Sequence, residues 1–506
     1  MDVLFQTLAS LVASPIILVL IFAGMAIGVI VGMMPGLNAT MAIALLLPVT
    51  FQMDAIPSIS LLVAIFVGGM TGGCISGILL RIPGTANSVA TVADGHAMTL
   101  KGQAGKALGL AIAASVFGTI FSGVILIAFA PILSSFALRF HYPEYVAAFL
   151  FAMAAVIAVS GESLSKGLIA AVLGALAASV GISAIDGLPR FDFGYREMYG
   201  GFPLIPALVG LFAVSQIMRS ALSRDDGQSA PTQAVGWREL LPDRRELTRH
   251  LPNATRSAAI GTTVGILPAV GGGPAGLIAY AQARNASKEP TSFGNGAPGG
   301  IVASEAANNA TVGGALITAM TLGIPGDTVT AMLIGALTIQ GVQPGPLMFV
   351  NSPGVVYAIY TSVIVASLMM FVFMLGSTRF LIQMLRVPRS ILLPCLFVVA
   401  CVGIYSLNGR LFEVWVMCGF GLLGFLLEQY RYPLAPVILG FLLGPPLEAN
   451  LRQMLGQYDS LMPLVTRPIP LVLLFGALLF VVFSLRARRR TVDMLVEKPV
   501  SRKDSQ

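Results

Sequence analysis

Long apolar runs, separated by short polar breaks, organise most of the chain. They lie near 15–34, 39–51, 58–82, 107–138, 143–160, 165–185 and 202–222. After a polar stretch they resume near 257–283, 298–323, 328–349, 354–385, 390–406, 411–428, 433–447 and 468–485. A helix needs roughly 20 apolar residues to cross a bilayer core of about 30 Å. The pattern predicts an all-α integral membrane protein with about 10–12 transmembrane segments, some of them broken or re-entrant. The runs 39–51 and 433–447 are too short to cross and are expected as half-helices or re-entrant segments. The first run has no Lys or Arg before it and no small-residue cleavage site after it, so it reads as a retained span.

The breaks repeat. Gly28 and Gly32 lead to Pro35-Gly36, and Ile82-Pro83-Gly84-Thr85 follows. Far downstream, Gly261 and Gly265 lead to Pro268, and Ile324-Pro325-Gly326-Asp327 follows. Between the breaks of each half, Gly72-Gly73 matches Gly313-Gly314, and after them the stretch from Lys101 to Gly105 matches that from Gln340 to Gly345. Proline removes a backbone donor and glycine loosens the helix. Pro35, Gly36, Pro83, Gly84, Pro268, Pro325 and Gly326 are therefore expected to interrupt helices in two related halves. Corresponding broken helices in the two halves of a membrane chain point to a transporter binding site.

Charge sets the organisation. Only 10% of the 506 residues are charged, against about 25% in a soluble domain. Residues 1–80 contain no Lys or Arg, which places the first repeat as entering from outside the cytoplasm. Residues 219–256 hold seven arginines, and the tail opens with Arg486, Arg488, Arg489 and Arg490. Beside apolar spans such clusters read as cytoplasmic rather than as a nucleic-acid surface. The expected organisation is a first membrane half at 1–222, a cytoplasmic polar linker at 223–256, a second half at 257–485 and a basic tail at 486–506. The two repeats are then inverted in the membrane, the arrangement that supports alternating access.

The polar residues at the breaks are the candidates for chemistry. Thr85, Asn87 and Ser88 follow Pro83-Gly84, and Thr328 and Thr330 follow Pro325-Gly326. A helix starting there presents free N–H groups and a positive dipole end, which suits a carboxylate or, equally, simple capping. Asn38 and Thr40 follow the first break, and Gly272 and Gly273 follow Pro268, where backbone can approach a ligand. These nine residues form the candidate substrate site.

Asp327 is the one charge in residues 306–378. An isolated intramembrane carboxylate suits a coupling cation, a proton, a distant Arg or a helix cap. With Asn308 and Asn309 it forms the candidate cation-coupling group, Na⁺ being possible at Asp327. Beyond a coupling ion, no cofactor or resident metal is expected. Gly24, Gly28 and Gly32, and likewise Gly69, Gly73 and Gly77, read as close-packing faces. Asp94-Gly95-His96 reads as surface loop, and the four cysteines as small core residues. No nucleophile–base pair suggests an enzyme.

Gly32–Leu37, Arg81–Thr85, Lys101–Gly109, Glu305–Ala310, Gly323–Asp327 and Gly341–Pro346 occur in order across about 30–350. Together they resemble the large membrane subunit of tripartite tricarboxylate transporters, the TctA family. The pattern departs from that resemblance at Thr99-Leu100 and Gly299-Gly300. The resemblance implies a multi-pass protein of the bacterial inner membrane that takes up a di- or tricarboxylate coupled to Na⁺ or H⁺. It implies two partners, a small four-span membrane subunit and a periplasmic solute-binding protein, and no nucleic acid. The alternative is a carboxylate permease or channel-like pore that works without a receptor.

Overall fold

The computed structural model describes residues 14–159, 163–183, 185–222, 236, 238–268, 270–385 and 387–496, without the side chains of 159, 389, 483 and 487–496. Most of the expected linker, 223–235 and 237, and the end of the basic tail lie outside the described residues. The rest is almost wholly helical; a two-residue ribbon, β1 (Gly181–Ile182) with β2 (Pro189–Arg190), is antiparallel. Among the described residues, nine helices are long and apolar enough to cross a membrane. The protein is an all-α multi-pass membrane protein.

The chain forms two compact units. The larger takes the chain up to Arg139 and from Ser179 to Tyr430. Its first part holds α1 (Pro15–Met33), α2 (Ala39–Thr50), α3 (Ala55–Leu80), α4 (Val89–Leu100) and α5 (Ala104–Ala137). The smaller unit begins at Phe140 with α6 (Tyr142–Val159) and α7 (Leu164–Ala178). The larger resumes with α8 (Leu204–Leu222), α9 (Arg244–Ile266), α10 (Gly272–Asn285), α11 (Pro298–Leu322), α12 (Thr328–Ile339), α13 (Pro353–Met384), α14 (Arg389–Asn408) and α15 (Leu411–Gln429). The smaller closes with α16 (Leu434–Tyr458) and α17 (Pro468–Val496).

Two runs fold differently from expectation. The run 433–447 is no half-helix, because α16 passes through Pro445 and Pro446 and ends only at Asp459 in a left-handed cap. Helix α9 starts inside the polar stretch, where the Asp243 side chain accepts the Arg245 N–H and caps it. The run 39–51 is, as expected, the 12-residue helix α2.

Small residues decide the packing of the larger unit. Helix α1 lies on α3, and α9 lies on α11 in the same way. A Cβ on Gly28 would stand 2.4 Å from the Ile65 carbonyl oxygen, and one on Gly261 would stand 2.1 Å from that of Ala307. Backbones this close exclude any side chain, so glycine is the residue that permits the contact. The small face of α3 is split, however. Gly68 and Gly72 meet α1, while Gly69, Gly73 and Gly77 turn toward Ala39, Thr85 with Ser88, and Val92.

The ends of α3 and α11 correspond as well. Each stops at a left-handed residue, Arg81 (φ 61°) and Gly323 (φ 68°), just before Ile-Pro-Gly. Gly84 then packs against Gly32 and Gly73, and Gly326 against Gly265 and Ala315.

In the smaller unit, α7 packs on α16 with Gly174 and Gly440 at the closest approach. Buried Glu144 accepts from the Arg467 guanidinium at 3.0 Å, and Arg467 also donates to the Tyr458 hydroxyl at 2.7 Å. The Glu144 carboxylate raises the Arg467 pKa further above its usual value.

Candidate functional site

Each break starts a short helix, and the four short helices meet in crossed pairs. Helix α2 of the first repeat packs on α12 of the second. Helix α10 of the second repeat packs on the 3₁₀ turn Ala86–Ser88 and on α4 of the first. Each pair therefore brings together two helix N-termini, one from each half. Unsatisfied N–H groups and the helix dipole make such ends positive.

The first pair is closed by its own side chains. Asn38 caps α2 by accepting the Met41 N–H at 2.8 Å. Asp327 caps α12: its Oδ1 accepts the Thr330 N–H at 2.7 Å and the Thr330 hydroxyl at 2.8 Å. The Asp327 N–H reaches the same hydroxyl at 2.9 Å, a reciprocal capping box. Thr40 Oγ1 and Thr328 Oγ1 lie 3.0 Å apart and join the two ends. Behind α2, Gln216 and Ser220 of α8 donate to the carbonyl of exposed Gly36. Pro35 lies beside it at the end of α1, and Pro325 and Gly326 are buried next to Asp327.

The second pair is open in its hydrogen bonding. Thr85 Oγ1 and Ser88 Oγ are buried and have no partner among the described residues. Both crowd Gly73, where a Cβ would stand 2.7 Å and 2.5 Å from them. Half-buried Asn87 donates to the Met70 sulfur at 3.2 Å. Asn308 donates to the Met70 carbonyl at 2.9 Å, and its Oδ1 is left without a partner. That oxygen faces the first turn of α10, 2.2 Å from the Cβ position of Gly272. Gly273 stands next to the Ala86 carbonyl. Pro268, buried, precedes this turn, and Pro83 and Gly84 precede the other.

The structure thus divides the expected residues by helix pair. Thr85, Asn87, Ser88, Gly272, Gly273 and Asn308 form one group. Asn38, Thr40, Asp327, Thr328 and Thr330 form the other. No described hydrogen bond joins Asp327 to Asn308 or Asn309. Asn309 instead accepts from Thr71 at 2.6 Å and donates to Glu305 Oε2 at 3.3 Å.

Glu305 was not singled out by its sequence position, yet it is the centre of the polar cluster in α11. It is fully buried and accepts from Thr91 at 2.5 Å and from Ser115 at 3.1 Å. It stands one residue upstream of 306–378, where Asp327 is the one charge. In the sequence it is visible only as the first residue of the family-like stretch Glu305–Ala310.

Asp94 corrects the surface-loop reading. It lies on α4, fully buried, and its Oδ1 accepts the N–H groups of Gly294, Gly296 and Ala297, each at 2.8 Å. These three donors lead into α11, so the carboxylate stitches the first repeat to the start of the second repeat's long helix. Lys101 adds a bond to the Asn295 carbonyl at 2.6 Å. A Cβ on Gly300 would stand 2.1 Å from Asp94 Oδ2, which explains glycine there. Arg81, the left-handed residue that ends α3, is exposed. Of the cysteines only Cys74 is buried; Cys395 is exposed, which corrects its reading as core.

Comparison with known proteins agrees with this architecture. Residues 18–439 match the family described as "Tripartite tricarboxylate transporter TctA family". The chain is 35% identical over 473 residues to an uncharacterized 52.8 kDa protein in the TAR-I ttuC' 3' region of Agrobacterium vitis, covering 93% of this chain and 94% of the relative. It is also 35% identical over 226 residues to a protein in the TAR-II ttuC' 3' region of the same organism, covering 44% of this chain and 93% of that relative. No solved structure matches. With a full-length relative and a family match over most of its length, this multi-pass membrane protein belongs to the TctA family of tripartite tricarboxylate transporters.

Proposed function

We propose that this chain is the large transmembrane subunit of a binding-protein-dependent secondary transporter that moves a di- or tricarboxylate across the bacterial inner membrane. The observation that carries this reading is the open helix pair. Two N-termini, one from each repeat, converge where Thr85 and Ser88 keep buried hydroxyls without partners. Buried hydroxyls are nearly always hydrogen-bonded. Two orphan donors beside positive helix ends suit a carboxylate oxygen. The orphan Asn308 Oδ1 suits a hydroxyl or protonated acid group on the same substrate.

Gly272 and Gly273 let the backbone reach the substrate. The closed pair, with Asp327 and Thr40–Thr328, holds the opposite crossing as a structural counterpart. Uptake is coupled to a cation, Na⁺ or H⁺, and the two repeats support alternating access around the site. A small four-span membrane subunit and a periplasmic solute-binding protein complete the transporter.

The test is uptake by proteoliposomes containing this chain and both partners, over a panel of di- and tricarboxylates, with Na⁺ and pH gradients imposed separately. Saturable uptake that needs the binding protein is the expected result. Equal uptake without the binding protein would favour the receptor-independent permease instead.

A further inference from the structure

We propose that Glu305 is a proton-binding site whose two protonation states are both satisfied by a reversible chain of hydroxyls made by Thr91 and Ser304. The proposal rests on the transport reading above and assigns its coupling ion and residue. Glu305 is fully buried in α11, between α4 and α5. Its partners are Thr91 at 2.5 Å, Ser115 at 3.1 Å and the Asn309 amide at 3.3 Å. None is basic. A buried carboxylate without a countercharge is costly and is relieved by neutralisation.

The neighbouring hydroxyls accommodate either protonation state. With Glu305 charged, Thr91 donates to Oε1, and Ser304 donates to Thr91 across 2.8 Å. With Glu305 protonated, every bond in the chain reverses. The carboxyl O–H donates to Thr91, Thr91 donates to Ser304, and Ser304 donates to the Gly300 carbonyl at 2.9 Å or the Ile301 carbonyl at 3.1 Å. No hydroxyl loses its acceptor in either state. The buried network therefore holds or releases a proton without leaving an unsatisfied group, a cost that would otherwise add to the desolvation of the charge. A metal cation has no comparable reversal to exploit here.

The position links the proton to the open helix pair. Glu305 and Asn308 lie three residues apart on α11 and so share a face. Asn309, one turn on, joins Glu305 to Thr71 of α3. The other ionisable groups on elements packed against α11 are already placed elsewhere or are not bonded to Glu305. Helix α3 brings buried Cys74, and α4 brings Asp94, held by three backbone donors. Helix α5 carries Lys106, paired with Glu246 of α9, which also bears His250 and Arg256, the latter bonded to Asn253. Tyr280 on α10 lies beside Asp94, and Asp327 heads α12 in its own cap.

Infrared difference spectra of the reconstituted full chain, titrated from about pH 4 to about pH 9, read the carboxyl group directly. A protonated-carboxyl band is expected in the wild type and missing from Glu305→Gln. Thr91→Val should shift its titration, and Thr91→Ser should restore it. Superimposable wild-type and Glu305→Gln spectra would overturn the proposal; if the Gln variant does not fold, an unchanged titration in Thr91→Val would do so.

In proteoliposomes with both partners, Glu305→Gln mimics the protonated state. Accumulation driven by a pH gradient should fall at least about tenfold while substrate exchange persists. Undiminished gradient-driven accumulation would refute the assignment. A wild type that titrates but moves no carboxylate would sink the transport reading and leave the proton site standing.

Discussion

Gly272 and Gly273 are adjacent at the start of α10, but alanine should have unequal effects at the two positions. At Gly272 the new Cβ would stand 2.2 Å from Asn308 Oδ1 and 2.7 Å from the Met70 methyl. Ordinary contacts need roughly 3.5 Å, so the Asn308 amide must retreat by about 1 Å. Its 2.9 Å bond to the Met70 carbonyl would then stretch beyond hydrogen-bonding range. Losing that buried bond costs about 1–3 kcal/mol. Alanine returns about 0.5–1 kcal/mol through helix propensity. The net is a loss of up to about 2.5 kcal/mol, together with a displaced polar group at the open helix pair.

At Gly273 the nearest atom is the Ala86 carbonyl oxygen at 3.2 Å, so a few tenths of an ångström suffice. Stability there should change by less than about 0.5 kcal/mol. Melting in detergent and uptake in proteoliposomes, measured for both variants, check the pair. Gly272→Ala should lower both, and Gly273→Ala should leave melting near wild type. Equal behaviour, or the reverse order, would refute the placement of Asn308 against α10.

Three further substitutions test other parts of the structure. Asp327→Asn keeps a capping oxygen and should retain near-wild-type stability, whereas Asp327→Ala loses the cap and about 0.5–2 kcal/mol; equal melting for both would show that the capping box contributes little. In the smaller unit, Arg467→Ala strips buried Glu144 of its partner, and a loss of about 1–3 kcal/mol is expected, discounted for the one-third exposure of the arginine. Asp94→Ala releases three backbone donors at the start of α11 and should cost more, about 3 kcal/mol or above, seen as poor recovery of folded protein.

The breaks and the glycine faces were legible because they depend on residue type alone. Proline and glycine at matching places announce interrupted helices, and glycine at four-residue spacing announces close backbones. Pairing was not legible. Nothing in the order Pro-Gly-Thr tells that Thr85 and Ser88 meet Gly73 of their own repeat while α10 arrives from the other half. Periodicity announced close packing along α3 but not its partners: the backbones of Gly68, Gly69 and Gly72 meet α1, while Gly73 and Gly77 meet Thr85 with Ser88 and Val92. Asp94 looked like loop because Asp-Gly-His is turn-like, and its three donors come from residues 200 or more positions away. Glu305 was obscured because counting charges in a window rewards isolation, not a shell of hydroxyls.

The functional account turns on a carboxylate bound at Thr85 and Ser88. Uptake of a labelled di- or tricarboxylate, with both partners present, should be compared between wild type and a Thr85→Val, Ser88→Ala double variant. Both variants keep side-chain volume close to the original, so the folded protein should persist in the membrane. Saturable, binding-protein-dependent uptake in the wild type and its loss in the double variant is the expected result. Unchanged uptake by a folded double variant would contradict the site.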